Sequence, residues 1–276
     1  MVQAWRFPSA ATRVRVSLAL SVLLAFAAAA GVARAQSMAV PAYFYPGSYW
    51  TQLDQAGPGF GLAVMNPDSG PGTGPDANYL GALHSAQAAG IRVVGYVYTS
   101  YGSRSLTTVE SDINAYYSWY PSINGIFLDE ASTNCAREPY YAALNAYVKS
   151  RGATGLTVLN PGTQTNQCYE PAADILLTFE GSDSEYVNSY SAPSWVAKYP
   201  ASHFWHVIYS TPTVSAMSTA IQLSKTRNAG YVYVTSATLP NPYDVLPVGA
   251  YWSGELSDIA SATSGTGTGG GGRHHG

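Results

Sequence analysis

The chain has 276 residues, of which 46% are hydrophobic, 13% aromatic and only 11% charged. That balance excludes a disordered chain, and a formal net charge of −3 leaves no basic excess to neutralise a nucleic-acid backbone. Arg6, Arg13, Arg15 and Arg34 all fall in the first 35 residues, which hold no acid, so the remainder is acidic, at about −7.

The first element is a secretory signal over residues 1–35. Arg6, Arg13 and Arg15 form a basic head, Val16 to Ala30 is an apolar run, and Ala33-Arg34-Ala35 fits the small-x-small cleavage pattern. Cleavage after Ala35 leaves Gln36 as the mature N-terminus. An uncleaved membrane anchor is the alternative, but the run is short for a span of about 20 residues. The expected location is therefore outside the cytoplasm, extracellular or periplasmic, with no stable membrane association after cleavage. At the other end, residues 264–276 are Gly/Thr-rich and read as a flexible tail.

Residues 36–263 contain no Pro/Gly/Ser linker and form one expected domain. Eight short apolar runs rich in β-branched and aromatic residues predict strands. They are Val40–Pro46, Gly59–Asn66, Arg92–Thr99, Gly125–Glu130, Leu156–Asn160, Asp174–Glu180, Phe204–Ser210 and Gly230–Thr235. Helices are predicted between them over Asp76–Ala89, Thr107–Trp119, Glu138–Ser150 and Val214–Arg227, whereas the crossovers after the first and fifth strands are weak. Strands such as IRVVGYVYT are apolar nearly throughout, as strands covered on both faces must be. The fold class is α/β, a (β/α)8 TIM barrel in a single domain, with an open doubly wound sheet as the alternative.

In such a barrel the chemistry sits at the C-terminal ends of the strands. Only Asp129, Glu130 and Glu180 are acids that end predicted strands. Paired carboxylates in an apolar mouth have their pKa values pushed apart, as hydrolysis of a glycosidic bond requires. Adjacent strand residues point opposite ways, so one of Asp129 and Glu130 should face the barrel axis and the other should support a loop. A single acid at a strand end is commonly a helix cap or an ion-pair partner. Three together, with few lysines to pair them, favour catalysis.

The 22 tyrosines point the same way, because flat rings pack on the apolar faces of sugars. Tyr45, Tyr98, Tyr101 and Tyr209, at strand ends, are candidate walls for substrate, and Asn66, Arg104 and Asn160 are candidate polar contacts. Many other tyrosines are simply core. No P-loop, no G-x-G-x-x-G after a strand and no G-x-S-x-G elbow is present. His203 and His206 have a metal-like spacing but would point to opposite faces of a strand, so no metal and no cofactor is expected. Cys135 and Cys168, the only cysteines, lie in loops on the same face of neighbouring strands, and in an exported chain they should form a disulfide that braces the cleft.

Six ordered motifs, VPAYFYPGSYW, MNPDSGPG, GYVYTSYGSR, GIFLDE, LNPGT and TFEG, run from Val40 to about Ser236. In these the chain resembles the spherulin-4 (spherulation-specific family 4) proteins. The resemblance implies a (β/α)8 glycoside hydrolase like those of family 135, endo-acting on α-1,4-linked N-acetylgalactosamine in the exopolysaccharide galactosaminogalactan, with a related group acting on deacetylated galactosamine. It also implies that the family's acidic pair falls on Asp129 and Glu130 and its sixth-strand glutamate on Glu180. The expected partner is a polysaccharide substrate, with no nucleic acid, and the expected state is a monomer. Asp129 and Glu180 are expected to be the catalytic carboxylates, with Glu130 orienting or tuning one of them. The alternatives are a secreted carbohydrate-binding or coat protein without turnover, and a glycosidase for another polymer such as polygalactosamine.

Overall fold

A computed structural model describes Met1, residues 36–152 and residues 155–261. The expected signal segment and the Gly-rich tail lie outside the described residues. In chain order the elements are β1 (Ser37–Ala42), α1 (Ser48–Asp54), β2 (Phe60–Met65), α2 (Ala77–Ala88), β3 (Arg92–Tyr98), α3 (Leu106–Trp119), β4 (Gly125–Asp129), α4 (Glu138–Arg151), β5 (Leu156–Leu159), β6 (Ile175–Ser182), α5 (Asp183–Asn188), β7 (Phe204–Tyr209), α6 (Val214–Thr226), β8 (Tyr231–Val234) and α7 (Gly249–Ala260). The eight strands are parallel, pair in sequence order and close into a barrel.

The strands are buried along nearly their whole length because helices cover the outside and side chains fill the inside. Within the barrel Phe127 stacks on Tyr96 and meets the Trp205 ring edge-on. Outside, Tyr116 of α3 packs on β3 at Gly95, where a methyl group would come within 2.6 Å of the ring. Local caps set the helix starts: Asp76 accepts from Asn78 N–H ahead of α2, and Ser105 and Thr213 do the same for α3 and α6. Gly90, at φ +84°, takes the left-handed position that ends α2.

The weak crossovers are real. Only the seven-residue α1 follows β1, and one 3-10 segment, Gln167–Ala172, follows β5. The expected first strand, Val40–Pro46, is displaced: β1 begins at Ser37, which pairs with Tyr231, and ends at Ala42. Tyr43 and Phe44 are apolar but lie past the ladder, with Tyr43 N–H bonded to Tyr243 O. Helix α7 had no expected counterpart.

Two irregularities position the site. On β6, Leu177 pairs with Trp205 while Phe179 pairs with His206, so Thr178 is an extra residue. Phe179 then packs outward against Tyr186 and Tyr190, and Glu180, opposite Val207, is turned into the barrel mouth. On the other side, β1 and β8 pair only at Ser37–Tyr231 and Met38–Val232. Past that point Val234 N–H is taken by Oε1 of the fully buried Glu255 at 2.8 Å, and the loop after β8 is free to reach over the mouth.

Candidate active site

Asp129 ends β4, level with Tyr98 of β3. Its Oδ2 accepts from the Tyr96 hydroxyl at 2.7 Å and its Oδ1 from Asn160 Nδ2 at 2.9 Å. Glu180 accepts from the same Asn160 Nδ2 at 2.6 Å through Oε2, and from the Tyr243 hydroxyl at 2.6 Å through Oε1. Asn160 is nearly inaccessible, and its own Oδ1 accepts from Gly162 N–H, so its NH2 must face the two acids. Two oxygens held by one nitrogen at 2.9 and 2.6 Å can lie no more than about 5.5 Å apart, an upper limit below the roughly 6.5–9.5 Å of carboxyl pairs that leave room for a water between them.

The electrostatics act on Asp129. Burial pushes the Asp129 carboxyl up to about 6, the Tyr96 hydrogen bond opposes that rise, and the nearby Glu180 charge adds to it. The phenols of Tyr43 and Tyr243 are pushed well above the usual range, by burial first and then by the facing carboxylates. They therefore act as neutral hydroxyls. Tyr43 meets the rings of both Tyr96 and Tyr243 edge-on, so one aromatic wall carries the hydrogen-bond donors of both acids.

Glu130 departs from the expected alternation. It lies beyond the ladder with φ +48°, a left-handed conformation that costs a non-glycine residue about 1–2 kcal/mol. Its carbonyl holds this turn by accepting from Tyr101 N–H at 2.6 Å and from the Thr99 hydroxyl at 2.8 Å. As a result Asp129 and Glu130 line one pocket of about 220 Å³ with Tyr43, Tyr101, Asn160, Glu180 and Tyr243. The expected division, one acid facing the axis and the other supporting a loop, is corrected accordingly.

The expected contact residues divide. Tyr101, largely exposed, lines the pocket, and Asn160 is at its centre. Tyr209 ends β7 opposite Ser182, and its phenol is raised by burial and by the Glu180 and Glu185 charges. Tyr45 is not a pocket wall: its hydroxyl donates to Asp76 Oδ2 and accepts from Asn78 Nδ2, bracing the start of α2. Asn66 Oδ1 is used by Gly70 N–H within its own loop. Arg104 is also spent, with an ion pair to Asp112 at 2.8 Å, a bond to Tyr98 O and its guanidinium 4.1 Å above the Tyr98 ring. Tyr98 thus packs on Arg104 and does not line the pocket. Tyr45, Asn66 and Arg104 each have a polar partner outside the pocket.

Cys135 and Cys168 form the expected disulfide, joining the loops after β4 and β5. His203 bonds Glu170, whereas His206 is buried against Tyr186 and Thr178 and pushed down to about 3 by that burial. Among the described residues no group of three or more His, Cys, Asp or Glu could hold a metal ion. A larger cavity, about 460 Å³, opens at the other end of the barrel beside Arg92 and Tyr231. Its acid, Asp174, is tied to Lys149, so it lacks the facing pair of acids. Tyr43, Tyr96 and Tyr243 were not among the expected site residues. The first two lie in apolar strand runs that read as core, and Tyr243 lies in a loop with no pattern to mark it.

The family model described as spherulation-specific family 4 matches residues 37–259. Spherulin-4 of Physarum polycephalum is 37% identical over 207 residues, covering 71% of this chain but only 62% of its own length. The crystal structure of Aspergillus clavatus Sph3 in complex with GalNAc matches with a TM-score of 0.70 at 25% identity, covering 83% of this chain and 99% of that one. A glucosidase from Croceicoccus marinus shares the fold alone, with a TM-score of 0.53 at 10% identity over 82% of this chain and 66% of that one.

Proposed function

The chain belongs to spherulation-specific family 4, and from that premise we propose that it is an endo-acting glycoside hydrolase for an α-1,4-linked N-acetylgalactosamine or galactosamine polymer. The observation that carries this reading is the Asp129–Asn160–Glu180 bridge, which holds the two carboxyls too close for a water to sit between them, as a direct attack by one of them requires. The GalNAc bound to the Aspergillus relative supports the sugar class. The leader in residues 1–35 and the Cys135–Cys168 bridge support export.

In this mechanism Asp129, which keeps its proton to about pH 6, donates it to the glycosidic oxygen as the bond to the anomeric carbon breaks. Glu180, whose negative charge is stabilised by the Asn160 NH2 and the Tyr243 hydroxyl, attacks that carbon and forms a glycosyl-enzyme ester. Asp129, now ionised, takes a proton from water as the water attacks the same carbon and releases Glu180. Glu130, on the pocket wall, orients the incoming water or the leaving sugar. Two displacements at one carbon give net retention of configuration.

The test is to incubate the protein with galactosaminogalactan at several degrees of deacetylation, size the products by mass spectrometry and follow the first-formed anomer by NMR. Oligosaccharides released with the α configuration are expected, and both D129N and E180Q should lower kcat by at least about 10³-fold. Polymer that is retained without release would instead identify a binding protein, and a first product of β configuration would overturn the two-displacement scheme.

A further inference from the structure

A second cavity of about 360 Å³ lies against the catalytic pocket and shares Glu180 with it. Residues 161 and 162 wall one, and Thr163 and Gln164 wall the other, so the two cavities adjoin along this segment and at Glu180. The cavity combines aromatic and polar residues, with Phe179, Tyr190, Thr163, Gln164 and Ser189 among those that line it.

We propose that this cavity binds a neighbouring sugar residue through a free, protonated amine, with Glu185 as the selecting residue. The proposal rests on the glycoside-hydrolase reading above and deepens it. Glu185 is exposed on α5, and its carboxylate folds back over β6: a methyl at Gly181 would lie 2.8 Å from Glu185 Oε2 and 2.8 Å from the Phe179 ring. Gly181 is thus the gap that admits the carboxylate beside Glu180. The ion pairs among the described residues are Arg104–Asp112, Lys149–Asp174 and His203–Glu170, and neither Glu185 side-chain oxygen has a hydrogen-bond partner there. Glu180 and Glu185 both line this cavity.

Two carboxylates are too few to replace the six or more oxygens around a calcium ion, whereas an ammonium needs only three acceptors. Glu185 supplies one, and Thr163, Gln164 and Ser189 carry further side-chain oxygens in the lining. An N-acetyl group at the same position would set a neutral amide and an apolar methyl against the carboxylate, desolvating it with no compensating charge. The cavity therefore discriminates between amine and acetamide.

The experiment uses the full-length D129N protein, which keeps Glu180 and Glu185, and titrates it calorimetrically with an α-1,4-linked galactosamine oligosaccharide and its N-acetylated counterpart. The amine form should bind about tenfold more tightly, and adding E185Q should bring the two Kd values together. Equal affinities in D129N, a preference that survives E185Q, or binding of neither ligand would each overturn the proposal. Cleavage by the unmodified protein is scored separately. Turnover whose preference ignores E185Q defeats this proposal alone, and Glu185-dependent binding without turnover defeats the hydrolase reading alone.

Discussion

At the scale of single residues, Asp129 shows the conflict between stability and chemistry. Its pKa is raised in the fold, so the stability it contributes is present below its unfolded value, near 4, and is lost as pH rises through about 6. D129N removes that loss. The variant should melt above the parent at pH 8 by the equivalent of about 1–2 kcal/mol, allowing for solvent screening, with the gap closing by pH 4. An equal or lower Tm at pH 8 would mean that burial does not disfavour this charge. Asn160 is the other residue to test. N160A removes the donor shared by both acids and should lower kcat by about 10²-fold with little change in KM. A change confined to KM would return Asn160 to the substrate contact read from the sequence.

At the scale of elements, the site depends on where regular structure stops. The extra residue Thr178 turns Glu180 inward, the left-handed turn at Glu130 adds a third acid, and the early parting of β1 from β8 lets the following loop deliver Tyr243. None of the three follows from alternation along a strand, which is why the sequence placed Asp129 and Glu130 on opposite sides. The barrel bodies were legible because parallel strands buried on both faces leave continuous apolar runs. The disulfide was legible for a different reason, since a chain with only two cysteines has one possible pairing. It closes a loop with a sequence separation of 33, and C135A/C168A should cost about 3–4 kcal/mol of stability in denaturant unfolding. A loss below about 1 kcal/mol would show that the loops after β4 and β5 are ordered without it.

At the scale of the molecule, the pH profile belongs to the coupled pair of acids. With Asp129 as the proton donor, kcat should fall as pH rises through about 6, because the raised pKa means that the donor is emptied there and not near pH 4. A rate that is flat from pH 5 to 8 would remove Asp129 from that role. The acidic character of residues 36–276 also predicts that affinity for an amine-bearing polymer weakens as salt rises from 50 to 500 mM, while affinity for the fully acetylated polymer changes little.

Sequence alone determined the barrel, the three acids near its mouth and the cysteine pair, since each follows from local periodicity or from residue type, whereas the ends of β1 and β6 at Ala42 and Ser182 were set by pairing. Tertiary structure decided which side chains converge. It brought Tyr43, Tyr96 and Tyr243 to the acids and made Asn160 the bridge between them. It also gave Tyr45, Asn66 and Arg104 to loop and helix contacts of their own. Convergence depends on register, one bulge and one left-handed residue, each set by packing between segments far apart in the chain, and no window of sequence records that.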